Sequence, residues 1–272
     1  MRLHFADAST DRGQLLMLAK EGIGTSLFSY AYKDAKAFYE PFIAYWEALA
    51  TFQVPSHTII DSGAFTAFST GKAISPKAYA KWVLEFKCQW FHKMTSVHFM
   101  NLDVIGDQDA SWVNQSILEE LGINPIPIVT FGADKKHLIK ALEGYEYIAL
   151  GGLVPHSRNK PKLKKWLDFC FAEVMKRYKS TQVMPKIHLL GITTDWVLKR
   201  YPCYSSDSSS WVSSCLRFGN GATAGLGKLP KYKESDAALA ATRHTIRAEI
   251  RKYKMMETEA TQLWESRGIS WG

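Results

Sequence analysis

Thr58-Ile59-Ile60-Asp61-Ser62-Gly63-Ala64-Phe65 sets an apolar, β-branched run directly against an acid, a hydroxyl and a glycine. A run without polar alternation describes a strand covered on both faces, the usual condition in a parallel sheet. A carboxylate where such a strand leaves the core is costly unless it is paired or hydrogen-bonded. The stretch therefore reads as a buried strand that delivers an acid to the rim of the sheet.

Runs of the same kind recur at Leu3–Ala6, Gly24–Tyr30, Val97–Asp103, Ile126–Phe131, Tyr147–Leu153, Lys186–Ile192 and Tyr204–Ser208, making eight with Thr58–Phe65. Helical periodicity fills the intervals. Ser75-Pro76 is an N-cap followed by proline in the first turn, and it opens a helix carrying Trp82, Phe86 and Trp90. Gly122 and Gly144 read as C-terminal caps of two others. Lys160–Tyr178 is a basic amphipathic helix, and Glu234–Trp264 supplies a long final helix or helix pair. Strict alternation over eight units predicts a single α/β domain over residues 1–272, a (β/α)8 TIM barrel with a long C-terminal helical segment. An open doubly wound sheet shares the same local grammar.

A chain of 272 residues that is 46% hydrophobic can bury one large core. Lys and Arg total 34 against 26 Asp and Glu, a formal charge of +8 that suits a polyanionic partner but also occurs in ordinary soluble proteins. Neither a signal-peptide core nor a stretch of membrane-spanning length is evident, so a soluble cytoplasmic protein without a membrane partner is expected. Cys88, Cys170, Cys203 and Cys215 form no CxxC pair and no zinc-finger spacing, and they read as reduced thiols packed as small hydrophobes.

The acids carry the chemical signal. Asp61 ends the third run, Asp103 the fourth, within Phe99-Met100-Asn101-Leu102-Asp103, and Asp207 the last, within Tyr204-Ser205-Ser206-Asp207-Ser208. Taken singly, each is explained as well by capping a turn or pairing with a lysine. Three at strand ends point to the C-terminal mouth, where barrel enzymes assemble their sites. Ala149-Leu150-Gly151-Gly152-Leu153 adds two residues without side chains, which admit a flat ligand to the backbone, although a tight turn accounts for them equally well. Phe65 and Leu190 offer apolar surfaces for such a ligand, and core packing is the ordinary use of both.

In order along the chain, Asp61-Ser62-Gly63-Ala64-Phe65, Leu102-Asp103, Ile128-Val129-Thr130-Phe131-Gly132, Leu150-Gly151-Gly152-Leu153, Leu189-Leu190-Gly191-Ile192 and the Asp207 strand end resemble the tRNA-guanine transglycosylase superfamily. The resemblance covers roughly residues 57–220. It implies exchange of guanine for a 7-deazaguanine base through a covalent glycosyl-aspartate intermediate on a (β/α)8 barrel. It assigns Asp207 as nucleophile and Asp61 as general acid/base. Asp103 would read the polar edge of the base, Thr130, Gly151, Gly152 and Leu153 would line its pocket, and Phe65 and Leu190 would stack against it. The chemistry suits those types: a carboxylate can stabilise and then bond an oxocarbenium-like sugar, and a second can shuttle the proton of the leaving and entering bases.

Three departures refine the resemblance. The Cys/His zinc site of the tRNA enzymes has no counterpart after Cys215, so a zinc-free protein without a cofactor is implied. Thr130 stands where the family carries glutamine, and Ser208-Ser209-Ser210-Trp211 replaces its proline-threonine-arginine segment. The chain looks closer to the phage branch that places 7-deazaguanines in DNA. The implied partners are DNA and a free, preQ0-like 7-deazaguanine base, with tRNA as the alternative polymer and a barrel N-glycosidase for nucleosides or damaged bases as the alternative reaction.

A base exchanged within a duplex must be flipped out, which calls for phosphate contacts. Arg158 and Lys160, with Lys162, Lys164 and Lys165, follow the sixth run, while Arg217, Lys228, Lys231 and Lys233 flank a glycine-rich loop after Asp207. A solvated helix face is the plain alternative for Lys162–Lys165, and Arg243, Arg247, Arg251, Lys252 and Lys254 read as surface charges of the last helix. His57, His98, His156 and His188 lie near strands in no metal-binding pattern.

Overall fold

The structure, a computed structural model, describes residues 1–6, 12–32, 39–213 and 236–271, except the side chains of 236–242. Its eight strands are β1 (Arg2–Phe5), β2 (Thr25–Ser29), β3 (His57–Asp61), β4 (Ser96–Phe99), β5 (Ile128–Thr130), β6 (Tyr147–Gly151), β7 (Lys186–Leu189) and β8 (Ser205–Ser208). All pair in parallel, in the order β4-β3-β2-β1-β8-β7-β6-β5, as one curled sheet. At its two ends, Met100 beyond β4 forms a single parallel bridge with Ile126 before β5. There Asn101 N–H donates to Ile126 O (2.9 Å) and Ile126 N–H to Phe99 O (2.7 Å).

The helices are α1 (Arg12–Lys20), α2 (Tyr39–Thr51), α3 (Ala64–Thr70), α4 (Pro76–Trp90), α5 (Gln108–Glu120), α6 (Lys135–Gly144), α7 (Lys160–Thr181), α8 (Asp195–Arg200), α9 (Ser210–Ser213) and α10 (Asp236–Ser266). Ser75 caps α4 as its sequence predicts, accepting from Ala78 N–H with Pro76 in the first turn. Gly122 turns left-handed just past α5, whereas Gly144 is the last residue of α6, because the chain passes through extended Tyr145 straight into β6. The final segment is one helix. Its Trp264 Nε1 donates to Leu198 O (2.8 Å), and its Glu257 accepts from Leu3 N–H (2.6 Å), fastening α10 to α8 and β1. Among the described residues, no helix is long and apolar enough to cross a membrane.

Apolar residues fill both faces of the sheet. A large cluster, including Phe5, Phe28, Ile60, Val129, Leu150 and Trp211, packs the strands against the helices. A smaller one, including Ala6, Leu27, Ile59, Met100, Ile128 and Ala149, fills the inside of the curl. Strand ends differ from the sequence expectation on the rim side. The runs predicted to reach Phe65 and Asp103 stop as strands at Asp61 and Phe99, so Asp103 lies in the loop beyond β4. Ala64 and Phe65 prolong the apolar pattern because they start α3, which a left-handed Gly63 separates from β3. Cys170 and Cys203 are free and buried as expected, while Cys88 is exposed on α4, and Cys215 lies outside the described residues.

Candidate active site

Period-two alternation and the register decide which side chains face the inside of the curl. Ser29 pairs with Asp61, and His4 with Asp207; His188 pairs with Ser205, two residues before Asp207. The same inner face therefore receives two acids at the rim and histidines and hydroxyls beneath.

Asp61 is the half-buried last residue of β3, and its Oδ2 accepts from Ser29 Oγ (3.1 Å) and Gly63 N–H (2.9 Å). Burial raises its carboxyl above the ordinary range, the negative charge of Asp207 adds to the rise, and the two donors oppose it. Asp103, half-buried in the loop after β4, is pushed up to about 7 by burial first and by the charge of Asp61 second. Asp61 thus feels Asp207, and Asp103 feels Asp61. The three acids singled out in the sequence form one electrostatically connected group.

Asp207 is 6% exposed on β8. Its Oδ1 accepts from Gly191 N–H (2.8 Å) and lies 3.1 Å from His188 Nε2. Gly191 holds φ +72, and a Cβ there would stand 2.3 Å from Val154 Cγ2, so glycine is needed to aim this amide at the acid. The serine-rich strand end is anchored by the fold. Ser206 Oγ donates to the carbonyls of Leu189 and Ile192, and Ser210 N–H donates to Ser208 Oγ (3.0 Å). Trp211, fully buried, donates Nε1–H to Ala6 O (2.8 Å). This accounts for Ser208-Ser209-Ser210-Trp211 as a structural closure between β8 and β1.

The remaining predicted pocket residues lie on adjacent strands. Thr130 ends β5, half-buried, its Oγ1 without a hydrogen-bond partner among the described residues. Gly151 ends β6, in register with Thr130. Gly152 is exposed at φ +67, a left-handed conformation that favours glycine, and a Cβ there would stand a tight 3.0 Å from Thr130 Cγ2 and 3.3 Å from Phe131 N. Leu153 is wholly buried in the outer core, which leaves its backbone rather than its side chain for ligand contact. Leu190 is half-buried against the inner cluster. Phe65 is 64% exposed on α3, so core packing does not explain it.

The basic residues divide. Arg158 and Lys160 are exposed in the segment after β6, with Lys160 Nζ 5.0 Å from the centre of the Trp196 ring. Lys164 is engaged by Asp168 at 2.8 Å. Arg247 and Arg251 both pair with Glu21, as expected of surface charges. Arg217, Lys228, Lys231 and Lys233 lie outside the described residues.

Sequence reasoning passed over four contributors. Ser29 is visible only through its register with Asp61. Gln108 holds the end of β5, its Nε2 donating to Ile128 O (2.8 Å) and its Oε1 accepting from Thr130 N–H (2.8 Å). His188 and Ser205, weighed only for metal patterns or not at all, sit beneath Asp207. The available signal was periodicity: His188 precedes Leu190 by two residues and so shares its face. Compared with known proteins, the chain matches no family model, and no curated protein matches its sequence.

Proposed function

We propose that the chain is a base-exchange transglycosylase built on a (β/α)8 barrel, replacing guanine in a polynucleotide, DNA by preference, with a free 7-deazaguanine base. The observation that carries this is the pairing of Asp61 and Asp207: two carboxyls at the ends of β3 and β8, individually anchored and near enough for the charge of one to oppose ionisation of the other. Such a pair divides naturally into a nucleophile and a proton carrier. The Met100–Ile126 bridge supports closure of the sheet into a barrel, with both acids at its mouth.

In this mechanism an Asp207 oxygen attacks C1′ of the target nucleotide. The C1′–O bond forms as the C1′–N9 bond breaks, and its electron pair leaves with the purine, which takes the proton held by Asp61. The entering base then gives its N9 proton to Asp61 and attacks C1′, releasing Asp207. Burial, which raises the Asp61 carboxyl above its ordinary range, favours the proton-carrying form. Asp103, at about 7, can present a protonated or an ionised edge to the base. Thr130 Oγ1, without a partner among the described residues, suits a contact in the same pocket, and exposed Phe65 suits stacking.

Arg158 and Lys160 suit phosphate contacts, and preference for DNA rests on the resemblance to the phage branch. Incubating the protein with labelled guanine and either duplex DNA or tRNA tests the whole. Label entering DNA is the expected result. Label entering tRNA alone would change the polymer. Release of free base with no requirement for an entering one would replace exchange by N-glycoside hydrolysis.

A further inference from the structure

The polar groups under Asp207 have no role in the scheme above, yet they form a continuous line, buried at His188 and Ser205 and half-buried at Tyr147. His188, wholly buried, places Nε2 3.1 Å from Asp207 Oδ1 and Nδ1 2.6 Å from Ser205 Oγ. Ser205 Oγ is in turn 2.6 Å from the hydroxyl of Tyr147. Three strands contribute: β7 supplies His188, β8 supplies Ser205 and Asp207, and β6 supplies Tyr147. Burying His188, Ser205 and Asp207 together is unfavourable unless every donor finds an acceptor. A carboxylate can only accept, so Nε2 donates to ionised Asp207. The Ser205 hydroxyl serves Nδ1 as donor or acceptor by rotation.

Both hydrogen bonds to Asp207 among the described residues, from His188 Nε2 and Gly191 N–H, fall on Oδ1. Two donors on one oxygen fix the rotation of the carboxylate and leave Oδ2 as the better nucleophile. His4 flanks the line, with its ring centre 5.9 Å from that of His188. Its Nδ1–H donates to Ser26 O (3.2 Å), so it is tied to the backbone instead of competing for Asp207.

We propose that His188 is a positioning residue for base exchange: oriented by Ser205 and Tyr147, it anchors Oδ1 of Asp207 so that Oδ2 meets the sugar carbon. This rests on the transglycosylase function proposed above. The test measures single-turnover formation of the protein–polynucleotide adduct in wild type, His188→Leu and His188→Gln. Leucine removes the donor, whereas glutamine can return an amide N–H near the position of Nε2. We expect His188→Leu to slow adduct formation on the order of 10- to 100-fold. Half-saturation by the polynucleotide should stay within about twofold, and His188→Gln should recover most of the rate. If the leucine variant does not fold, His188→Asn, polar but too short to reach Asp207, takes its place. An unchanged rate in the donor-less variant, or a glutamine variant equally slow, overturns the positioning role while leaving base exchange intact. A wild type that forms no adduct with DNA or tRNA overturns the base-exchange function, and this inference with it.

Discussion

Replacing Asp103 with asparagine exchanges a carboxyl raised to about 7 for a neutral group of nearly the same shape. In the unfolded chain the same carboxyl titrates near its ordinary 3.8. Between those values the native state keeps a proton that the unfolded chain has released, so the stability of the wild type falls as pH rises, by about 1.4 kcal/mol per pH unit. The full interval gives an upper bound of about 4 kcal/mol, and partial exposure of the side chain reduces this to about 2 kcal/mol. Asp103→Asn lacks that loss. Urea unfolding of both proteins from about pH 4 to about pH 8 should show the variant gaining on the wild type as pH rises, with the difference levelling off above about pH 7. A constant difference across the range, or a variant that loses ground with rising pH, would refute burial and the charge of Asp61 as the forces acting on this carboxyl.

Asp61→Asn should abolish base exchange while preserving the fold, measured as labelled-guanine turnover beside an unfolding curve; turnover within about tenfold of wild type would remove Asp61 as proton carrier. Gly191→Ala should destabilise by about 1–3 kcal/mol, because alanine at φ +72 is strained and its methyl meets Val154, and a neutral effect in urea unfolding would count against that geometry. Trp211→Ala should cost about 3–5 kcal/mol, since it empties a fully buried site and leaves Ala6 O unpaired; a loss below about 1 kcal/mol would mean that β8 and β1 are not closed by this ring.

Much of the fold was legible because parallel strands announce themselves as apolar runs. All eight lie where those runs predict, with their rim ends displaced where a helix or loop prolongs the pattern, as at Ala64-Phe65 and Met100–Asp103. The acids were legible for a related reason, since a carboxylate after a buried strand is conspicuous by its cost. Their supports were not. Ser29 reaches Asp61 only by cross-strand register, and His188 reaches Asp207 from a neighbouring strand, relationships that a one-dimensional pattern does not contain. The Gly151-Gly152 pair shows where pattern leaves two explanations open: openness to a ligand and a tight turn both fit the sequence, and the φ of +67 at Gly152 shows that backbone conformation alone favours glycine there. Similarly, Lys164 belongs to an ion pair with Asp168, which charge clustering alone does not distinguish from a phosphate contact.

The central claim, that Asp207 forms a covalent bond to the sugar of a polynucleotide, is tested most directly by denaturing the protein during reaction with guanine-containing duplex DNA and mapping the attached peptide by mass spectrometry. An adduct on the peptide containing Asp207, absent from folded Asp207→Asn, is the expected result. An adduct on another residue, or one that survives Asp207→Asn, would contradict it.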